Sequence, residues 1–175
     1  MFESEYDEDR YENILDICEL KPDLEILGGG DLTEIGEKGV NLSGGQKQRI
    51  SIARALYYDA DIYLIDDCLS ALDAYVGKSI FNNVLKKYLH ESGKTIVFVT
   101  NAIDHTEFCD RVLVMENGKI AEDGNPLELK NQGGLYSELS FKVKKIKEEE
   151  EEKEREEKIK QERKKSEIMD ISFDG

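Results

Sequence analysis

Apolar positions along the chain follow a helical rhythm in some stretches and form short continuous runs in others. Tyr11, Ile14, Leu15 and Cys18 recur at i, i+3, i+4 and i+7, which predicts a helix over about Asp9–Leu20. Pro22 suits the first turn of a short helix, Pro22–Leu27, and Gly28-Gly29-Gly30 ends it. Ile50-Ser51-Ile52-Ala53-Arg54-Ala55-Leu56 is a second amphipathic run, and Ser43 before Gly44-Gly45 is placed to cap its helix. Ile62–Ile65, closed by Asp66-Asp67, and Thr95–Val99 are short apolar runs that read as buried parallel strands. Between them a helix is predicted from about Ala74 to Leu89, with Ser70-Ala71-Leu72-Asp73 as its N-cap and first turn. Arg111–Met115 and Lys119–Glu122 flank Glu116-Asn117-Gly118, a hairpin signal. Pro126–Asn131 and Leu135–Phe141 are the last short helices expected.

Beyond them the rhythm stops. Lys142–Lys165 holds eleven basic residues and nine glutamates. Glu149/Lys153, Glu151/Arg155, Glu154/Lys158 and Glu156/Lys160 are spaced i, i+4, each pair adding about 0.2–0.5 kcal/mol to a solvated, marginal helix. No apolar heptad is present to form a coiled coil. The expected role of residues 142–175 is a charged helical or disordered linker.

Composition narrows the function classes. The 175 residues suffice for one domain. A net charge of −15 argues against nucleic acid as a partner, since a phosphate backbone needs a basic face. Cys18, Cys68 and Cys109 are odd in number and far apart, suited to a reducing compartment and to neither a disulfide frame nor a zinc site. No apolar run approaches a membrane span.

The candidate chemistry begins at Ser43-Gly44-Gly45. Glycines before a capped helix let a bulky anion approach the backbone, and the helix end offers free N–H groups and a positive dipole. The longer run, Leu42 to Ala55, resembles the signature motif of ATP-binding-cassette (ABC) ATPases. Ile62–Asp67 resembles a Walker B strand, Ser70-Ala71-Leu72-Asp73 the D-loop, and Asp110–Ile120 the closing strands of an ABC core. Thr33–Gly39 resembles the acidic loop that precedes the signature in ABC exporters and touches the cytoplasmic ends of the membrane helices. The likeness is continuous from about residue 5 to 141.

The resemblance implies an α/β fold: part of a P-loop NTPase, with a mostly parallel sheet and a helical subdomain. Residues 1–141 would be the C-terminal part of an ABC ATPase domain, about 5–57 carrying the helical and signature region and 58–141 running from Walker B to the closing strands. It assigns Leu42, Ser43, Gly44, Gly45 and Gln46 to the ATP of a partner domain. Asp66 would bind Mg²⁺ through water, and Asp67 would occupy the position of the catalytic glutamate. Asn101 takes the place of a histidine that bonds the γ-phosphate. Aspartate is one methylene shorter than glutamate, and asparagine never carries the histidine's positive charge. Together they imply a site that turns ATP over slowly, as in the first nucleotide-binding domain of the multidrug-resistance-protein subfamily, although that subfamily generally keeps the histidine. His90 and His105 stand at the wrong offsets to replace it.

The phosphate-cradling G-x-x-x-x-G-K-[ST] is not found in these residues. The chain therefore reads as the later part of an exporter's ATPase domain at the cytoplasmic face of a membrane. Its expected partners are a second nucleotide-binding domain and transmembrane domains, and the isolated chain is expected to be inactive and poorly soluble. The alternative is a truncated, non-catalytic domain that binds a full ABC partner.

Overall fold

The computed structural model describes residues 5–36 and 41–171, which include mixed helices and strands. The chain divides into two compact units, Met1–Asn101 and Ala102–Gly175.

In the first unit, helix α1 (Glu8–Ile17) starts at Asp7, whose carboxylate accepts from the Arg10 N–H at 3.0 Å. Glu8 and Asp9 add negative charge at the positive end of the helix dipole. The helix stops three residues before the predicted Leu20 because Glu19 adopts a left-handed conformation, φ 55°. Helix α2 (Lys21–Ile26) follows, with Pro22 in its first turn. Of the acidic loop Thr33–Gly39, Thr33, Glu34, Ile35 and Gly36 are described, and Glu37, Lys38 and Gly39 lie outside the described residues. Thr33 and Ile35 line an apolar cavity of about 180 Å³ together with side chains of α1, α2 and the next helix.

That next helix is α3 (Gly44–Tyr58), which buries Ile52, Ala53, Leu56 and Tyr57 at i, i+1, i+4 and i+5. Asp59, at φ 60°, turns the chain into strand β1 (Ile62–Asp66). β1 pairs in parallel with β2 (Thr95–Val99), in a register running from Ile62 opposite Thr95 to Asp66 opposite Val99. The connection is α4 (Ala74–Ile80), which continues into π-helical turns over Phe81–His90. Ile80, Phe81, Val84, Leu85 and Leu89 are buried on that connection and share one core with Tyr63, Ile14, Cys18 and Leu56.

The two strands differ from their sequence-based description. Both faces were expected to be buried, but only the Tyr63, Ile65, Ile96 and Phe98 face packs on the core. Ile62, Leu64, Val97 and Val99 on the outer face are 61, 79, 51 and 56% exposed. A continuous apolar run gives no sign of which face a helix will cover.

The second unit opens with a 3₁₀ segment, Ile103–Phe108, that includes His105. Strands β3 (Val112–Glu116) and β4 (Lys119–Gly124) form the predicted antiparallel hairpin. Asn117 and Gly118 both have positive φ, 50° and 73°, as a two-residue primed turn requires. Arg111 clamps Asp123 with two bonds of 2.7 and 2.6 Å across the hairpin. Helix α5 (Pro126–Gln132) is capped by Asn125, and α6 runs from Leu135 to Ile171 without interruption at residue 142. In α6, Lys144 and Lys145 pair with Glu148 and Glu149, so Glu149 faces Lys145 rather than the predicted Lys153.

A glutamate of the hairpin starts the long helix. Glu122 accepts from the N–H groups of Leu135 (2.6 Å) and Tyr136 (2.9 Å), two donors that the first turn of α6 cannot satisfy itself. Gly134 makes room for it, since a Cβ there would overlap the Glu122 carboxylate. Glu122→Ala is expected to cost about 1 kcal/mol. Thermal unfolding of the chain should show this as a Tm lower by roughly 2–4 °C.

Candidate functional site

The predicted site residues all lie in the first unit, on two structures: the start of α3, and the carboxyl ends of β1 and β2 with the turn that follows β1. Ser43 is the N-cap of α3. Its Oγ accepts from the Gln46 N–H at 3.2 Å, and the Gln46 side-chain oxygen accepts from the Ser43 N–H at 2.9 Å. This reciprocal box satisfies two N–H groups and leaves those of Gly44 and Gly45 without a partner among the described residues. The orphan donors at this helix end thus belong to the two residues with no side chain to shield them, a surface suited to a phosphate. Leu42 is buried at the base of the turn, and Ser43 is exposed.

The two glycines are not equivalent. A Cβ on Gly44 would meet nothing within 4 Å, whereas one on Gly45 would lie 3.1 Å from the Ala71 carbonyl oxygen and 3.5 Å from Leu72 Cδ2. Gly45 is therefore the contact between the predicted signature and the predicted D-loop. The turn holding Ala71 and Leu72 is tight: Ser70 Oγ donates to the Asp67 carbonyl at 3.0 Å, and the Leu72 N–H to the Leu69 carbonyl at 3.1 Å. Asp73 caps α4 by accepting from the Val76 N–H at 3.0 Å.

At the strand ends, Asp66 is the last residue of β1 and is exposed. Asp67 adopts the left-handed conformation, φ 43°, and its N–H donates to the Val99 carbonyl at 2.9 Å. That bond ties the acidic turn to β2, two residues before Asn101, so Asp66, Asp67 and Asn101 share one end of the parallel pair. Ligands of open α/β sheets bind at this end. No cation pairs with either carboxylate among the described residues. Asp66 suits Mg²⁺, which takes one or two carboxylates and completes its shell with phosphate and water. No cluster of three or more metal-ligating side chains stands among the described residues. Cys68 offers no alternative nucleophile beside the acids, since it is 2% exposed and burial pushes its thiol up to about 11.

Sequence reasoning overlooked the side chains that hold the start of α3. Asp23 on α2 accepts from Gln46 Nε2 at 2.7 Å and lies 2.6 Å from Arg49 Nη1. The signal was present: Gln46 and Arg49 stand at i, i+3, one face of a helix presenting an amide and a guanidinium.

Residues 7–70 match the model of the ABC transporter family. Over 137 residues the chain is 53% identical to ATP-binding cassette sub-family C member 2 of Rattus norvegicus, covering 78% of this chain and 9% of the relative. It is 50% identical over 143 residues to ABC transporter C family member 8 of Dictyostelium discoideum, covering 79% and 9%. With ATP-binding cassette sub-family C member 2 of Homo sapiens the identity is 55% over 125 residues, 71% of this chain and 8% of the relative. The chain spans about a tenth of the length of these relatives. With the capped glycine turn, the acidic strand end and these likenesses together, the chain belongs to the ABC transporter family, as sequence of a nucleotide-binding domain similar to those of sub-family C.

Proposed function

We propose that this chain is the later part of the ATPase domain of an ABC exporter and that it serves two nucleotides unequally. Residues 1–141 belong to the ATPase domain, and 142–175 form a charged linker. The start of α3, Leu42–Gln46, together with Ser70–Asp73, faces an ATP held by a second nucleotide-binding domain. The observation that carries this reading is the pair of N–H groups on Gly44 and Gly45 that have no partner among the described residues, packed through Gly45 against Ala71. Donors fixed in place before the ligand arrives stabilise phosphate charge without reorganisation.

The chain's own site is at the ends of β1 and β2. Asp66 would hold Mg²⁺ there, and the ion would neutralise phosphate charge. Asp67 occupies the base position with a shortened reach, and Asn101 can donate to the γ-phosphate only as a neutral amide. Binding of ATP between two such domains would then drive attached membrane helices, with the Thr33–Gly39 region as the contact. Among the described residues no helix is long and apolar enough to cross a membrane, so the spanning segments would be supplied by other parts of the assembly.

The test is photolabelling of the complete gene product with an azido analogue of ATP and Mg²⁺, followed by peptide mapping. Label in the peptide containing Leu42–Arg49 is the expected result. Label confined to other peptides at saturating analogue would overturn the assignment.

A further inference from the structure

A polar chain joins Gln46 and Arg49 of the signature helix to Asp23 on α2, to Glu19 after α1 and to Ser79 on α4. Gln46 is a bridge: its side-chain oxygen accepts from the Ser43 N–H, and its Nε2 donates to Asp23 Oδ1 at 2.7 Å. Asp23 Oδ2 is 2.6 Å from Arg49 Nη1, and the two side chains are only 19% and 12% exposed. Arg49 also donates to the Glu19 carbonyl. The Glu19 carboxylate accepts from Ser79 Oγ on α4, and Asn83 Nδ2 donates to the same Oγ at 3.1 Å. Glu19 reaches both partners from its left-handed backbone position at the end of α1.

We propose that Asp23 is the positioning residue of the signature: it fixes Gln46 and Arg49 on one face of α3 and, through Arg49 and Glu19, ties that helix to α4, which begins at the D-loop. A carboxylate and a guanidinium this far from water are satisfied only in a narrow geometry, and breaking the pair leaves an uncompensated charge. Arg49 Nε and Asp23 Oδ2 both lack a hydrogen bond among the described residues, so charge attraction at 2.6 Å holds this pair, and each group depends on the other for compensation. Without Asp23 the Gln46 side chain loses the bond that fixes its far end. The capping box that orients the Ser43 and glycine N–H groups is then held at one point instead of two. Gly45 against Ala71 is the second tie between the same two elements. The signature and the D-loop therefore move as one body. The functional consequence rests on the ATPase reading given above, but the mechanical one does not.

Hydrogen exchange of the complete gene product without nucleotide, read in the peptides that cover residues 5–101, tests the mechanical claim. Asp23→Ala should speed exchange of the amides in 42–49 about tenfold while 62–66 and 95–99 keep their rates. Asp23→Asn keeps an acceptor for Gln46 and should speed 42–49 severalfold. It decides the matter if Asp23→Ala loosens the whole unit, and unchanged exchange at 42–49 in Asp23→Asn overturns the proposal. In the complete gene product, Asp23→Asn should lower kcat/KM for ATP severalfold, and adding Ser79→Ala should cost little more, because both break one chain of contacts. Ser43→Arg separates the two readings. If it leaves ATP turnover intact, the ATPase reading fails while the exchange result stands. If it abolishes turnover but Asp23→Asn has wild-type kcat and KM, the positioning role is overturned.

Discussion

Gly45→Ala should reduce ATP turnover of the complete protein severalfold, to about tenfold. The added methyl would stand 3.1 Å from the Ala71 carbonyl oxygen, a backbone atom in a turn held by its own hydrogen bonds. Neither side yields cheaply, so the start of α3 or the turn must shift, and on the proposed reading both would present groups to the same phosphates. Errors near 1 Å in such placement cost on the order of a hundredfold in rate, and the few tenths of an ångström needed here cost a smaller share of that. Gly44→Ala is the control for packing, since its methyl would enter open space. Thermal unfolding should therefore distinguish the two, with Gly45→Ala the less stable. Steady-state hydrolysis of Mg-ATP gives the rate, and a Gly45→Ala protein with an unaltered rate would show that the contact between the turns is incidental.

The second large effect has the opposite sign. Asp67→Glu combined with Asn101→His should raise ATP hydrolysis about tenfold or more. On the proposed reading the glutamate would restore the missing methylene at the base position, and the histidine would restore a donor able to carry positive charge near the γ-phosphate. Asp67 is held by its N–H bond to the Val99 carbonyl rather than by its side chain, so the longer residue can enter without breaking that tie. Its left-handed φ of 43° is tolerated better by aspartate than by glutamate, so part of the gain is offset. Single-turnover measurements would separate faster chemistry from faster product release. No increase would remove the idea that these two positions limit the rate.

Much of this was legible before any coordinates. Ser43 announced a helix cap, and Asn117-Gly118 announced its turn, because both are local bargains with the nearest backbone; the return bond from Gln46 that completes the box was not read. Asp66 and Asp67 were placed at a strand end by the abrupt change from apolar to acidic. The tertiary facts were not legible in the same way. Asp23 follows a proline in a short helix and looks like an ordinary acid in a first turn, yet it faces Gln46 and Arg49 from another helix. The role of Gly45 as a packing contact depends on a turn 26 positions later in the chain. The left-handed Glu19 that follows α1 bonds with Arg49 and Ser79, partners 30 and 60 positions later that no periodicity encodes.

Helix α6 carries a consequence of its own. Its 37 residues make a rod of about 55 Å at 1.5 Å per residue. Beyond Phe141 its ion pairs, such as Lys144 with Glu148, lie at the surface, where dissolved ions weaken them. Raising ionic strength therefore frays the rod from its distal end, while the Glu122 anchor at its base is retained. Salt concentration thus becomes a dial for the reach of this segment.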